Sequence, residues 1–285
     1  MTGISYLQDF GVVQGPIGLS NTNAIGQVYA GIQRWTQDHF GEATWPVVAE
    51  TWDGELNDLK SFHVTEKTAI AALDAAAPGP VTEGNVGGGT GMICFGFKGG
   101  IGTASRAVSL GGRGYTVGVL VQCNTGDRRT LRIAGAPVGA ELAHRYLPCT
   151  GAKCDAEPGP DQGSIIIVVA TDAPLTPDQL NRLAKRAAMG LARLGSYSGS
   201  ESGDLIVSFS TATANANNPD QTKPAPIAAI ASKDIDPLFK GTVEATEEAI
   251  VNALVAARTM TGYGGRRVFA LPHDELRAML KTYGR

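Results

Sequence analysis

The chain has 285 residues, of which 24 are basic and 27 acidic, so its net charge at neutral pH is −3. This length allows one large domain or two ordinary ones and a sizeable core. A general nucleic-acid-binding protein would carry a basic excess, so the charge balance argues against that class. No run of eighteen apolar residues and no signal-peptide pattern occurs, and we therefore expect a cytoplasmic protein without membrane spans.

The first half of the chain alternates helical and strand-like patterns. Ile25, Val28 and Ile32 recur at helical spacing and predict a helix over 20–40, which Asn21 or Thr22 can cap. The patterns that follow predict, in order, a helix over 65–76, strands over 92–97 and 101–108 joined by a turn at 98–100, a strand over 115–122 and a linker over 148–163.

The second half begins with a strand over 165–170 that is apolar on both faces and should be covered on both sides. Thr176 and Gln179 form a capping box around Pro177, which predicts the start of a long helix. The remaining elements are a strand over 205–211, a loop over 214–225, a helix over 242–259 and a closing helix over 273–283. Together they predict a layered α+β domain with helix-covered sheets.

The four cysteines give no metal signature. Cys94 and Cys123 lie in apolar, strand-like runs and are expected to be small buried side chains. Cys149 and Cys154 have four residues between them in the linker, with no second pair and no histidine pattern, so they make a poor zinc site. A disulfide within this loop is the alternative.

The other familiar motifs are weak. The glycine-rich run over 84–91 could bind a phosphate through backbone amides, but no strand precedes it and no P-loop lysine follows. A tight turn or a close backbone approach to an active site is the alternative. The four histidines are scattered, and no G-x-S-x-G motif is present, so a Ser-His-Asp triad is poorly supported.

The junction between Gly163 and Ser164 offers different chemistry, because a polar loop ends there and an apolar strand begins. If the chain were cut before Ser164, the serine hydroxyl would be a nucleophile and its own α-amine, with a pKa near 7.7–8.0, would be the base. Gly163 suits such self-cleavage because it lacks a side chain. The alternative is a serine that simply starts a buried strand, and spacing alone favours it.

The segment Gly163–Leu175 resembles the nucleophile segment of the β-aminopeptidase/D-aminopeptidase family, which are self-processing serine N-terminal nucleophile hydrolases related in fold to ornithine acetyltransferase. Further blocks agree in order: 19–22, 47–58, 84–92, 96–106, 118–124, 202–204 and 271–274. The resemblance implies one αββα four-layer sandwich over residues 1–285, with two stacked sheets covered by helices. It also implies cleavage into chains 1–163 and 164–285.

The resemblance assigns roles to individual residues. Ser164 is the expected nucleophile of self-cleavage and of peptide hydrolysis, and Asn124 the expected donor to the oxyanion. Ser202 and Asp204 are expected to bind the new N-terminus, and residues two apart on an extended segment share a face. Glu50 is expected to bind the free amine of the substrate.

Three features depart from the family pattern. Asp204 stands where a glutamate is frequent, and Trp52 stands where a tyrosine is common and would reshape the substrate pocket. The chain also begins later than is usual in the family, so we expect slow self-processing if core strands are missing.

The predicted function is that of an aminopeptidase that releases small L-, D- or β-amino acids from short peptides or amino-acid amides through an acyl-enzyme on Ser164. No metal or other cofactor is expected, and the partner is a second copy, in a homo-oligomer of cleaved heterodimers. One alternative is an acyltransferase of the ornithine acetyltransferase type, although that relative usually has a threonine nucleophile. The other is a truncated, non-catalytic homologue.

Overall fold

The computed structural model describes residues 1–159, 161, 163–212 and 226–285, so the predicted loop over 214–225 lies entirely outside the described residues. The helices are α1 Ile4–Phe10, α2 Ile25–Phe40, α3 Glu66–Asp74, α4 Val138–Glu141, α5 Pro177–Arg193, α6 Asp236–Ala256 and α7 His273–Thr282. The strands are β1 Ile17–Asn21, β2 Val47–Thr51, β3 Ile93–Cys94, β4 Phe97–Lys98, β5 Gly100–Leu110, β6 Arg113–Asn124, β7 Cys149–Thr150, β8 Lys153–Cys154, β9 Ser164–Thr171, β10 Leu205–Ser210, β11 Met260–Thr261 and β12 Arg266–Val268.

The main sheet has the strand order β10-β9-β6-β5. Strands β5 and β6 form an antiparallel hairpin, β6 pairs antiparallel with β9, and β9 pairs parallel with β10. Ile165, Ile166 and Ile167 of β9 are completely buried, as the doubly apolar pattern of this segment predicts. Helices α5 and α6 pack against one face of the sheet and enclose the larger hydrophobic core with it.

The opposite face of the main sheet contacts the parallel pair β1–β2. Gln122 of β6 is completely buried and donates to the Ser20 carbonyl at 2.8 Å and to the Thr51 hydroxyl at 2.7 Å, which joins the two sheets. Helices α2 and α3 cover β1 and β2 through a smaller core that contains Val28 and Val48. The α+β class is confirmed. The four-layer sandwich stays a prediction, and the second sheet has two strands, β1 and β2, in the described residues.

Several element boundaries differ from the sequence-based prediction. The capping box of Thr176 and Gln179 at the start of α5 is present as expected. The helix predicted over 20–40 begins only at Ile25, because residues 17–21 pair with β2 as a strand. The first hairpin turn lies at Phe95–Gly96, where both residues have positive φ, rather than at 98–100.

The segment predicted as a linker over 148–163 contains structure. Strands β7 and β8 form a hairpin in a small sheet of order β11-β12-β7-β8, and Cys149 and Cys154 form a disulfide across it. Arg266 of β12 makes a two-pronged ion pair with Asp155, at 2.9 and 2.6 Å. The pairing of β12 with β7 therefore joins segments that lie on either side of Ser164 in sequence.

Cys94 and Cys123 form a second disulfide, which the interpretation of them as small buried side chains did not predict. Both side chains are completely buried, as expected. The short hairpin of β3 and β4 lies beside the end of β6 and brings the two Cα atoms within 5.5 Å, a distance that permits a bridge. A contact between residues 29 positions apart leaves no mark on local periodicity.

Lys98 lies in the interior next to these strands. Its ammonium donates to the carbonyls of Gly89, Met92 and Gly99 at 3.2, 2.9 and 2.8 Å. Burial lowers the pKa of Lys98 to about 7 from the ordinary value of 10.5. The residue therefore connects the glycine-rich turn that ends at Met92 with the hairpin that follows it. Among the described residues, no helix has the length and apolar character needed to cross a membrane.

The shifted pKa predicts a dependence of stability on pH. Between about pH 7 and 10.5 the unfolded chain binds one proton more than the folded chain at Lys98, so the free energy of unfolding should rise with pH across this window, by at most about 1.4 kcal/mol per pH unit. Lys98→Met should remove this rise, and the exposed Lys67→Met should keep it. Urea unfolding at pH 7 to 10 measures the slopes, and equal slopes in the Lys98 variant and the wild type would contradict the account.

Candidate active site

The site lies where β6 and β9 end together. Asn124 and Ser164 are the last residues paired in this antiparallel ladder. The preceding pair, Cys123 and Ile165, belongs to the core under α5 and α6. Because side chains alternate along strands, Asn124 and Ser164 point to the other face, toward the pair β1–β2. The register of two apolar strands thus brings the predicted nucleophile and the predicted oxyanion donor side by side.

The side chain of Asn124 is oriented by two backbone groups. Its Oδ1 accepts from the Ile93 N–H at 2.7 Å, and its Nδ2 donates to the Trp52 carbonyl at 2.8 Å. These partners fix which end of the amide carries the hydrogens. Nδ2 has two hydrogens and one acceptor among the described residues, so the second hydrogen is available to a further acceptor. Asn124 is only 6 % exposed, which gives a rigid donor in a place of low dielectric.

The peptide bond between Gly163 and Ser164 is held in place by contacts with the backbone of two neighbouring segments. The Gly163 carbonyl accepts from the Gly203 N–H at 3.1 Å. A Cβ placed on Gly163 would overlap the backbone carbonyl of Asn124, so only glycine permits this close approach. Gly203 in turn lies beside the Ser164 side chain. The carbonyl that the serine would attack therefore already has a donor.

Ser202 and Asp204 belong to a short chain of hydrogen bonds. The Ser202 hydroxyl donates to Asp204 Oδ1 at 2.8 Å, so the Thr125 hydroxyl, 3.0 Å away, is the donor to Ser202. Asp204 Oδ2 is buried without a hydrogen-bond partner in the described residues. Within the described residues, neither Ser202 nor Asp204 is hydrogen-bonded to the Ser164 hydroxyl. The two residues thus adjoin the nucleophile through Gly203 rather than through a direct contact.

The two predicted substrate-binding residues differ in placement. Trp52 is 45 % exposed and lines the cavity beside Gly163 and Asn124. Glu50 lies in β2 opposite Ser20, its carboxylate accepts a hydrogen bond from the Thr22 hydroxyl, and it does not line this cavity. The structure therefore brings together Ser164, Asn124 and Trp52 and leaves Glu50 on the neighbouring strand pair.

The cavity has a volume of about 180 Å³. Its polar side is formed by Arg266 and the two carboxylates that it pairs with, Glu55 and Asp155. A hydrogen bond from Arg266 lowers the pKa of Asp155. Gly91 separates it from a larger, mostly apolar cavity of about 670 Å³ between β1, α2 and α3. Asp53 lines this second cavity, and burial raises the pKa of its carboxyl.

Sequence reasoning missed several residues that shape the site. Thr125 and Ile93 contribute single hydrogen bonds and carry no motif. Asp161 is 6 % exposed, and its Oδ1 accepts from the Gly126 N–H at 2.9 Å, which connects the segment before Gly163 to the loop after β6. Gly203 lies between Ser202 and Asp204, and that block was the one signal that could have identified it. Within the described residues, no group of three or more His, Cys, Asp or Glu is arranged to hold a metal ion.

Comparison with known proteins agrees over the whole chain. Residues 1–268 match the sequence profile of peptidase family S58. The β-peptidyl aminopeptidase BapA of Sphingosinicella microcystinivorans is 51 % identical over 295 residues, which cover 100 % of this chain and 74 % of that protein.

Two solved structures are also similar, and each match covers 100 % of this chain and 78 % of the other. The L-aminopeptidase D-Ala-esterase/amidase of Ochrobactrum anthropi, a prototype of the serine aminopeptidases and a variant of the Ntn-hydrolase fold, has a TM-score of 0.89 and 43 % identity. A β-aminopeptidase of Burkholderia sp. has a TM-score of 0.87 and 41 % identity. The chain therefore belongs to peptidase family S58, with an α+β fold of the Ntn-hydrolase kind, and it is an aminopeptidase.

Proposed function

We propose that this aminopeptidase matures by cutting itself between Gly163 and Ser164, within one domain that becomes chains 1–163 and 164–285. The observation that carries the proposal is the position of the Gly163 carbonyl. It accepts from the Gly203 N–H at 3.1 Å while Ser164, the next residue, pairs with Asn124. A polarised carbonyl beside a serine hydroxyl is the arrangement that an N-to-O acyl shift needs.

The self-cleavage proceeds in two balanced steps. The Ser164 oxygen attacks the Gly163 carbonyl carbon, the bond from that carbon to the Ser164 nitrogen breaks, and the hydroxyl proton ends on the released amine. The Gly203 N–H stabilises the negative oxygen of the intermediate. Water then hydrolyses the ester, which leaves a carboxylate on Gly163 and restores the Ser164 hydroxyl.

Peptide hydrolysis reuses the same serine. The new α-amine, with a pKa near 7.7–8.0, is partly neutral and takes the Ser164 proton as the serine oxygen attacks the substrate carbonyl. It gives that proton to the leaving amine when the peptide bond breaks, which leaves the acyl group on Ser164. The free hydrogen of Asn124 Nδ2 donates to the oxyanion of the substrate. Ser202 and Asp204 bind the α-amine, and Asp204 Oδ2, buried without a partner in the described residues, is available for that bond. Water releases the amino acid from Ser164.

The proposed substrates are short peptides or amino-acid amides with a small L-, D- or β-residue at the N-terminus. The cavity of about 180 Å³ next to Gly163 supports a small acyl group. The names of the relatives support the range, since they include a β-peptidyl aminopeptidase and an L-aminopeptidase D-Ala-esterase/amidase. We propose that Glu50 binds the free substrate amine and that the active form is a homo-oligomer of cleaved heterodimers.

The compartment also stays a proposal. Cytoplasmic location was expected from the sequence, but the described cysteines all lie in two disulfides. Because structural disulfides form and persist mainly in oxidising compartments, this pairing favours such a compartment over the cytoplasm.

The first prediction concerns the cut. Wild-type protein should give two chains ending at Gly163 and beginning at Ser164, and Ser164→Ala should stay intact because it has no nucleophile. Ser164→Cys should still be cut, at a changed rate, because it keeps one. Intact-mass spectrometry measures the products. An uncut, inactive wild type would favour the non-catalytic homologue, and acetyl transfer from acetylornithine to glutamate would favour the acyltransferase.

The second prediction concerns the oxyanion. Asn124→Ala should lower kcat for an amino-acid p-nitroanilide by about 10²- to 10³-fold and change KM by less than about threefold, since the lost bond acts only in the transition state. Asn85→Ala, which removes an exposed amide bonded to the Arg258 carbonyl, is the matched control. Steady-state kinetics on the cleaved fraction gives both constants, and a loss confined to KM would contradict the assigned role.

The third prediction concerns the substrate amine. Glu50→Gln should raise KM by about tenfold for a substrate with a free amine, because a hydrogen bond to a charged group contributes about 1.5–3 kcal/mol. The exposed Glu42→Gln is the matched control. An unchanged KM in the Glu50 variant would remove Glu50 from the substrate site and direct attention to the carboxylates that line the cavity.

A further inference from the structure

The Cys94–Cys123 disulfide lies against the proposed oxyanion donor. Cys123 is the residue immediately before Asn124 in β6, and Cys94 is the residue immediately after Ile93 in β3. The Ile93 N–H donates to Asn124 Oδ1 at 2.7 Å. The covalent bond and this hydrogen bond therefore connect the same two short segments, one residue apart.

The hairpin that carries Ile93 needs support from outside itself. Strands β3 and β4 are two residues each and, among the strands that the structure describes, pair with one another alone. An isolated pair of this length is not stable in water. Its turn also has Phe95 at φ 48°, in the left-handed region that a bulky residue seldom adopts. Support comes from two connections. The N–H of Phe95 donates to the Thr125 carbonyl at 2.6 Å, and the disulfide adds a covalent connection to β6.

Small displacements of the hairpin would reach the donor directly. Asn124 Oδ1 and Nδ2 are fixed by Ile93 and Trp52, and both hydrogen bonds depend on where those backbone groups lie. A misplacement of about 1 Å in a catalytic group can cost about 10²-fold in rate. Both sulfur atoms are completely buried, so the bridge is part of the interior that supports Asn124.

We infer that the Cys94–Cys123 disulfide positions Asn124 for oxyanion stabilisation, through the hairpin that carries Ile93. This inference rests on the proposed function, because it assigns the two cysteines a task in that reaction. They are positioning residues, since neither sulfur touches the reacting atoms. The role predicts that the bridge contributes to kcat only as long as Asn124 is present.

The test is a double-mutant cycle between the bridge and the donor. Cys94→Ala, Cys123→Ala and the double variant should each lower kcat about tenfold or more, by the same factor, with KM within about threefold of wild type. When Asn124→Ala is also present, removal of the bridge should change kcat by less than about twofold. The substrate is an amino-acid p-nitroanilide, and rates are divided by the cleaved fraction from intact-mass spectrometry.

The second disulfide supplies a matched control. Cys149→Ala with Cys154→Ala removes a bridge that has no hydrogen bond to the Asn124 segment in the described structure. The fold-decrease in kcat that this pair of substitutions causes should be the same with and without Asn124. If the Cys94 and Cys123 variants fail to fold, Ile93→Pro keeps the bridge, removes the N–H that Asn124 accepts, and should give the same loss with the same dependence on Asn124.

Several results would overturn the inference. They are an unchanged kcat in an active enzyme, an equal loss with and without Asn124, and four free thiols in denatured wild type without reductant. Loss of self-cleavage in the bridge variants also counts against it, because the Gly163 carbonyl is bonded to Gly203 and not to Asn124. An inactive, uncut wild type would overturn the proposed function and this inference with it, whereas an active wild type insensitive to the bridge overturns this inference alone.

Discussion

The site depends on the register between β6 and β9, which pairs Asn124 with Ser164. A slip of one residue in either strand would turn that strand's polar side chain toward α5 and α6 and separate it from its partner. The alternation Val117, Val119, Val121 and Cys123, completely or almost completely buried against the helices, fixes the register. Hydrophobic burial over the length of two strands thus positions two polar groups at their end.

Backbone groups then form hydrogen bonds with the residues that the register brings together. The N–H of Gly203 donates to the Gly163 carbonyl, the N–H of Ile93 orients Asn124, and the carbonyl of Trp52 accepts from the same side chain. Such groups cost little conformational entropy to hold in place, because the surrounding strands and turns already define them. Gly163 is required for a related reason, since any side chain there would collide with the backbone of Asn124.

Much of this arrangement can be predicted from the sequence. The features that cannot be predicted depend on contacts between residues far apart in the chain. Apolar patterning found β9, and capping chemistry found the start of α5, because both signals are local. Strand β1 was missed because its pairing with β2 across the chain outweighs the helical pattern that follows it. The Cys94–Cys123 bridge joins residues 29 positions apart, and local patterns do not report such a contact. The placement of Glu50 beside Thr22 also depends on a contact between residues far apart in sequence.

We propose that Ser164, as a new N-terminus, carries the acyl group during turnover. The most direct measurement is peptide mapping by mass spectrometry after the enzyme is quenched in acid during turnover of a slowly released amino-acid ester. We expect the added acyl mass on the peptide that begins with Ser164 and none in the Ser164→Ala variant. An active enzyme whose acyl group is found on another residue, or whose Ser164 remains joined to Gly163, would contradict it.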